Sequence, residues 1–247
     1  MHLSLVFLFA IFLNIIQKYS TKKLSKIGFV FKDFNHYGNR HFLYYNGNKK
    51  QTIILVHGFG ANALGQWYKT AKILSKNYNI IAPDLLNHGA TSDSFPNYSI
   101  SAQANYIKQI LDTLNWAKQV TLCGNSYGGI VATEFAHLYS EKVDKLILND
   151  AVNNFFSNAI ADSAAQFLGF KKVIEILSPT SLTNFKTSLK IVYYKPPHIP
   201  IFVLRQVYNS IESTRQKTNE NVLQHLIDYE KYYHNRNYTF NKNTYLI

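Results

Sequence analysis

From residue 27 onward the chain alternates short apolar runs with segments whose apolar residues recur every three or four positions. Phe29-Val30-Phe31 and His41-Phe42-Leu43-Tyr44-Tyr45 read as early strands separated by a polar turn at Tyr37-Gly38-Asn39. Thr52-Ile53-Ile54-Leu55-Val56 and Asn79-Ile80-Ile81-Ala82 are apolar almost throughout, the pattern of strands covered on both faces. Between them Trp67, Ala71, Ile73 and Leu74 form a helical stripe. Ala104, Ile107, Leu111 and Leu114 form another, with Ser99 or Ser101 available as its N-cap. A strand over 119–123, a helix from Tyr127 to about Leu138 and a strand over 145–149 follow. Strands alternating with helices predict an α/β domain over 27–247, with a mostly parallel sheet flanked by helices and right-handed crossovers.

The amino terminus follows neither pattern. Leu3 to Ile16 is apolar except for Ser4 and Asn14, and Lys18, Lys22, Lys23 and Lys26 follow it. As a helix it spans roughly 21 Å, short of the ~30 Å hydrocarbon core unless flanking residues extend it. No Lys or Arg precedes it and no small-residue cleavage site follows, which weakens a secretory signal but leaves it, with a secreted or periplasmic protein, as the alternative. The lysines on its C-terminal side predict that residues 1–20 form a membrane anchor with the body on the cytoplasmic side.

Charge changes the picture little. The chain carries 26 Lys and Arg against 14 Asp and Glu, a formal charge of +12, yet only 16% of its residues are charged. The basic residues are scattered, with neither an arginine-rich tract nor a zinc-finger or RNA-binding motif. Nucleic acid is therefore not an expected partner, whereas acidic lipid headgroups fit the excess charge. The lone cysteine, Cys123, excludes an intrachain disulfide and is expected to pack as a small buried residue. No His/Asp/Glu cluster implies a metal, and the glycines do not follow a dinucleotide fingerprint, so no cofactor is expected.

The candidate chemistry sits at Gly124-Asn125-Ser126-Tyr127-Gly128. After a strand and before a helix, Gly124 and Gly128 permit a sharp turn that lifts the Ser126 hydroxyl above the carboxyl end of the sheet. The Tyr127 N–H, at the start of that helix, is aimed where an oxyanion would form. About seventy residues earlier, His57-Gly58-Phe59-Gly60 closes another strand, and the Phe59 N–H is a second oxyanion donor. His57 and Gly58 support that loop.

These stretches resemble the α/β-hydrolase superfamily, and within it the membrane-associated monoacylglycerol lipases and bacterial lipases and esterases. The resemblance rests on Leu55 to Asn62 with Trp67, Ile81 to Gly89, Tyr98 to Gln103, Gly124 to Gly129 and Val143 to Leu148, and extends to Lys195 to Pro200 in a cap. It implies an ester hydrolase acting on a small-molecule or lipid ester, Ser126 as nucleophile, and a helical cap inserted at about 151–238. Two departures stand out: Leu86-Asn87 replaces Pro-Gly in the loop after Asp84, and Tyr127 replaces the usual methionine. The resemblance also implies an acid and a histidine late in the chain, whereas Thr244 to Ile247 maps onto the start of the next strand, so both would fall beyond Ile247. Asp150 is a candidate acid after strand 145–149. His57 and His88 read as loop-ordering residues, His137 lies three turns along the helix from Ser126, and His198, His225 and His234 map to the cap. A catalytically silent, truncated hydrolase-like protein or binding module remains open, as does a carbon–carbon bond hydrolase of the same fold. Epoxide opening would want an aspartate in place of Ser126.

Overall fold

The computed structural model describes residues 18, 20–35, 39–45, 47–89, 91, 97–115, 118–151, 158–196, 198–209, 213–233 and 243–246. The apolar segment Leu3 to Ile16, expected to anchor the chain, lies outside them, as do Tyr37, Gly38 and His234. Among the described residues no helix is long and apolar enough to cross a membrane.

Among the described residues seven strands form one sheet in the order β1-β2-β4-β3-β5-β6-β7. β1 (Val30–Asn35) and β2 (Asn39–Tyr45) pair antiparallel, and β2 joins β4 (Asn79–Pro83) antiparallel. From β4 on the sheet is parallel, through β3 (Thr52–Val56), β5 (Val120–Asn125), β6 (Val143–Asn149) and β7 (Asn243–Leu246). The two signs follow from the connections. A few residues join β1 to β2, enough only for a hairpin, whereas each parallel pair needs a helical crossover.

The crossovers are α1 (Ala63–Leu74), α2 (Ile100–Leu114) and α3 (Tyr127–Leu138). Asn62 caps α1 by accepting from the Gly65 N–H at 2.6 Å, and Ser99 caps α2 by accepting from the Ala102 N–H at 3.2 Å. Ser101, the other candidate cap, instead donates to buried Glu134 on α3 at 2.6 Å.

Strand alternation divides the core. Ile53, Leu55, Ile80 and Ala82 meet Ala63, Trp67 and Ala71 of α1, together with Leu24 and Phe29. Ile54 and Ile81, equally buried, point to the opposite face. β3 is buried at every position, as a central parallel strand must be. At the mouth of β4, Asn79 uses its whole amide. Its Oδ1 accepts from the Gly47 and Lys49 N–H groups at 3.0 and 3.1 Å, and its Nδ2 donates to the Lys49 carbonyl at 2.8 Å.

A second compact unit takes in Phe156–Glu230. Its described part carries α4 (Asn158–Phe167), α5 (Val173–Leu177), α6 (Leu182–Val192), α7 (Ile201–Val207) and the first part of α8 (Ser213–Tyr233). Ala161, Ala165, Phe170, Phe185, Leu204, Val222 and Leu223 are its buried apolar residues, while Phe167, Tyr194 and Phe202 stand exposed.

Leu55 is fully buried in the central strand, so Leu55→Ala should lower the unfolding free energy by about 2–5 kcal/mol. Urea denaturation checks this. An unchanged m-value with a loss below about 1 kcal/mol would show that the core is not packed as described.

Candidate active site

Ser126 sits between the last residue of β5 and the first of α3, at φ 51° and ψ −119°. A side-chain-bearing residue avoids this region, and holding one there costs on the order of 1–3 kcal/mol that the surroundings must offset. Two bonds flank the turn: the Ser126 N–H donates to the Asn149 carbonyl at 3.0 Å, and the Ser126 carbonyl accepts from the Gly129 N–H at 2.8 Å. Two glycines permit the approach. A Cβ on Gly124 would collide with the Gly128 carbonyl, and one on Gly128 would collide with the Val56 and His57 carbonyls. The strand-to-helix turn is thereby pressed against the end of β3. As the first residue of α3, Tyr127 has an N–H with no intrahelical carbonyl to meet.

The loop after β3 lies beside the serine. A Cβ on Gly58 would stand 3.5 Å from the Ser126 Cβ. His57 is fully buried, and its ring spans two loops: Nδ1 donates to the Gly58 carbonyl at 2.8 Å, and Nε2 accepts from the Leu85 N–H at 2.9 Å. Those partners select the neutral Nδ1–H tautomer, because a carbonyl can only accept and an amide N–H can only donate. The Gly58 carbonyl and the Phe59 N–H belong to one planar trans peptide and point in opposite directions. By gripping the carbonyl, His57 fixes the direction of the Phe59 N–H.

The loop after β4 closes the third side. Asp84 accepts from the Ala63 N–H at 2.7 Å, at the positive end of α1. Gly89, at φ 54°, leaves no room for a Cβ against the Asp84 carboxylate. The Gln103 amide holds both backbone groups of Leu86, accepting from its N–H at 2.8 Å and donating to its carbonyl at 2.9 Å. Asn87, which stands where the resembled family has glycine, adopts φ 63°, a conformation asparagine tolerates better than most residues. His88 stacks on Tyr127 with ring centroids 5.6 Å apart, and its Nδ1 donates to the Leu86 carbonyl at 3.0 Å. Phe59 meets the edges of both rings. The Tyr127 that replaces methionine thus completes an aromatic cluster. Burial pushes its phenol up, with the nearby Gln103 side chain a smaller opposing influence.

A polar relay joins the loop after β3 to the serine turn. The Gly58 N–H donates to Gln66 Oε1 at 3.0 Å, Gln66 Nε2 to Asn125 Oδ1 at 2.8 Å, and Asn125 Nδ2 to the Asn149 carbonyl at 3.2 Å. Neither Gln66 nor Gln103 stood out as a candidate in the sequence. Gln103 carried a signal, since it lies three residues after Ile100 and four before Ile107 on the core face of α2. Gln66 carried none.

Ser126, Gly58, Gly124, Gly128, His57, Phe59 and Tyr127 therefore gather at the carboxyl ends of β3 and β5. Asp150 follows β6 at φ 46°; it is exposed and accepts from the Asn149 side chain at 3.2 Å. It is next in sequence to the residue whose carbonyl holds the Ser126 N–H. His137 lies at the far end of α3, about 16 Å from Ser126 at 1.5 Å per residue. Cys123, expected to be buried, is half-buried at the edge of the core cluster, because the alternation of β5 turns it toward the α1 face near its rim. Burial still pushes its thiol up to about 11. Among the described residues no group of three or more His, Cys, Asp or Glu is placed to hold a metal ion.

A family model described as alpha/beta hydrolase fold matches residues 51–177. Lipase 1 of Psychrobacter immobilis is 31% identical over 157 residues, covering 63% of this chain and 48% of that protein. A 2-hydroxy-6-oxo-6-(2'-aminophenyl)hexa-2,4-dienoic acid hydrolase of Metapseudomonas resinovorans is 33% identical over 107 residues, 42% of this chain and 37% of that one. The crystal structure of a membrane phospholipase A matches at a TM-score of 0.69 and 21% identity, over 99% of this chain and 80% of that chain. The matched segments span between 28% and 52% of the length of the curated relatives.

Two outcomes follow from this geometry. Gly128→Ala should lower stability by about 1–3 kcal/mol or more, since backbone carbonyls rather than flexible side chains stand in the way. A denaturation midpoint equal to that of the parent would contradict the close approach. The second concerns Cys123: with the thiol at about 11, only roughly 0.1% is thiolate at pH 8, against roughly a quarter for an ordinary thiol near 8.5. Iodoacetamide should label the native chain slowly at pH 8 and about tenfold faster per pH unit up to pH 10. Rapid labelling at pH 8 would show that the thiol is not desolvated.

Proposed function

The chain belongs to the alpha/beta hydrolase fold family, and from that premise we propose that it is a serine hydrolase of carboxylic esters with Ser126 as its nucleophile. The observation that carries the proposal is the Ser126 backbone, held at φ 51° between β5 and the amino terminus of α3 with Gly58 facing it. Attack of Oγ on an ester carbonyl carbon forms the C–O bond of a tetrahedral intermediate, whose oxyanion is met by the Tyr127 and Phe59 N–H groups. The hydroxyl proton passes to a base and then to the departing alcohol. Water repeats the sequence on the acyl-enzyme and releases the acid.

Uncharged acyl esters suit the site. The loops 57–62, 84–91 and 124–128 contain no Lys or Arg that would clamp a substrate carboxylate. The name of the Psychrobacter relative, a lipase, supports this reading. The dienoic acid hydrolase supports carbon–carbon cleavage by the same serine geometry, which an assay separates.

His57 is not the base in this proposal, because both ring nitrogens are engaged by backbone groups. His137 is too far along α3. The resemblance assigns the base to a histidine and its acid to a carboxylate on later loops of the fold, with Asp150 the alternative acid. The apolar segment Leu3 to Ile16 is proposed to hold the body at a membrane.

The test compares the 247-residue chain with one extended by the part of Psychrobacter immobilis Lipase 1 that follows the strand equivalent to β7. The 247-residue chain should hydrolyse p-nitrophenyl butyrate only at a trace rate. The extension should raise kcat by about 10³-fold or more, and Ser126→Ala should abolish the gain. A folded extended chain with no Ser126-dependent ester turnover, or one that cleaves only a 2-hydroxy-6-oxo-dienoate, overturns the esterase reading. Fast Ser126-dependent turnover by the 247-residue chain would instead place the base inside it.

A further inference from the structure

We infer that Gln66 is a positioning residue that holds the two oxyanion donors in register, an inference that rests on the hydrolase reading above. The relay runs between two backbone groups of fixed polarity. At one end the Gly58 N–H can only donate, so the atom of Gln66 facing it is Oε1, at 3.0 Å. That leaves Nε2 to face Asn125, which must present Oδ1, at 2.8 Å. Asn125 Nδ2 is then turned to the Asn149 carbonyl, which can only accept, at 3.2 Å. Both amide orientations are forced from the ends inward.

The end points give the relay its meaning. Gly58 immediately precedes Phe59, and the Asn149 carbonyl is also the acceptor for the Ser126 N–H, immediately before Tyr127. One side chain on α1 therefore ties the residue that precedes one donor to the turn carrying the other. Ser126 and Gly58 lie on separate loops after β5 and β3. The β3–β5 ladder pairs Val56 with Gly124 and fixes the strand ends, but not the loops beyond them. His57 fixes the Gly58 carbonyl and Gln66 the Gly58 N–H, so this glycine is held at both polar groups.

The position demands a side chain with one acceptor and one donor at the reach of glutamine. Leucine has neither. Ionised glutamate could accept from Gly58 but would set a second acceptor against Asn125 Oδ1. Protonated glutamate would restore the amide pattern, with a carbonyl for Gly58 and a hydroxyl for Asn125. Gln66 is half-buried near the start of α1, so replacing it leaves the core cluster untouched.

The test uses the full 247-residue chain and two readouts. Amide hydrogen exchange at Gly58 reports the clamp whatever Ser126 does, and residual p-nitrophenyl butyrate turnover reports its effect on the oxyanion site. Gln66→Leu should raise Gly58 exchange about tenfold and lower kcat by about ten- to a hundred-fold, with KM and the melting temperature near those of the parent. Gln66→Glu should fall progressively behind the parent in kcat as pH rises through the carboxyl range, about 4 to 5, because ionisation removes the donor. Unchanged Gly58 exchange in Gln66→Leu overturns the clamp. Raised exchange with unchanged kcat, or a Gln66→Glu deficit that ignores pH, overturns its role in positioning. If Ser126→Ala in the extended chain shows that no turnover depends on the serine, the hydrolase reading fails, while Gly58 exchange still decides the clamp by itself.

Discussion

The structure depends on one close approach: the start of α3 against the end of β3, with no side chain between them. Gly128 lies against the Val56 and His57 carbonyls, and Gly124 against the Gly128 carbonyl. This contact lets the chain leave β5, turn within one residue and enter a helix, and it holds Ser126 at a positive φ. The strain is local, and its support is distributed. The Asn149 carbonyl on β6 holds the serine N–H, and the helix that follows is buried along most of its length. A turn that must project a hydroxyl away from the sheet cannot also be its own most stable backbone, so rigidity is borrowed from both neighbouring strands.

Around that turn the polar groups are arranged so that each has a single usable polarity. His57 is held as a neutral ring by one donor and one acceptor on different loops. Asp84 is anchored at a helix amino terminus, where its charge is favoured, rather than turned to the serine. Gln103 satisfies both backbone groups of Leu86 with one amide. These bonds cross between segments that the sheet brings close at its carboxyl edge, and they order loops that have no ladder of their own. The aromatic cluster of Phe59, His88 and Tyr127, with His88 stacked on Tyr127 and Phe59 set T-shaped to both, packs the side chains of these three loops together.

Much of this was legible in the sequence, and the part that was not has a physical reason. The apolar run Thr52–Val56 is a strand at the predicted residues because burial on both faces leaves no polar position to blur its ends. The strand expected over 119–123 extends to Asn125, since Gly124 and Asn125 carry no apolar signal yet continue the ladder with β6. Ser99 and not Ser101 caps α2; Ser101 is taken by Glu134, whose burial in the middle of α3 no periodicity would suggest. Asn87 stands at a positive φ, a conformation asparagine reaches more readily than most residues, so this position in the loop does not demand a missing side chain. The Gln66–Asn125 contact, between residues 59 apart in sequence, was invisible. Hydrogen bonds between single polar side chains leave no repeating pattern, and only the assembled sheet sets their distance.

The far margin of the sheet bears on how the protein behaves in concentrated solution. β7 ends the strand order, its four residues are exposed, and Tyr245 and Leu246 are 47% and 68% accessible. Among the described residues this strand, polar at Asn243 and Thr244 and apolar beyond, has no strand on its outer side, and such a margin is a template on which another extended chain can pair through its backbone. Colloidal behaviour should therefore be set at this margin more than by the buried core, with the net charge of +12 as the opposing repulsion and added salt as the condition that removes it.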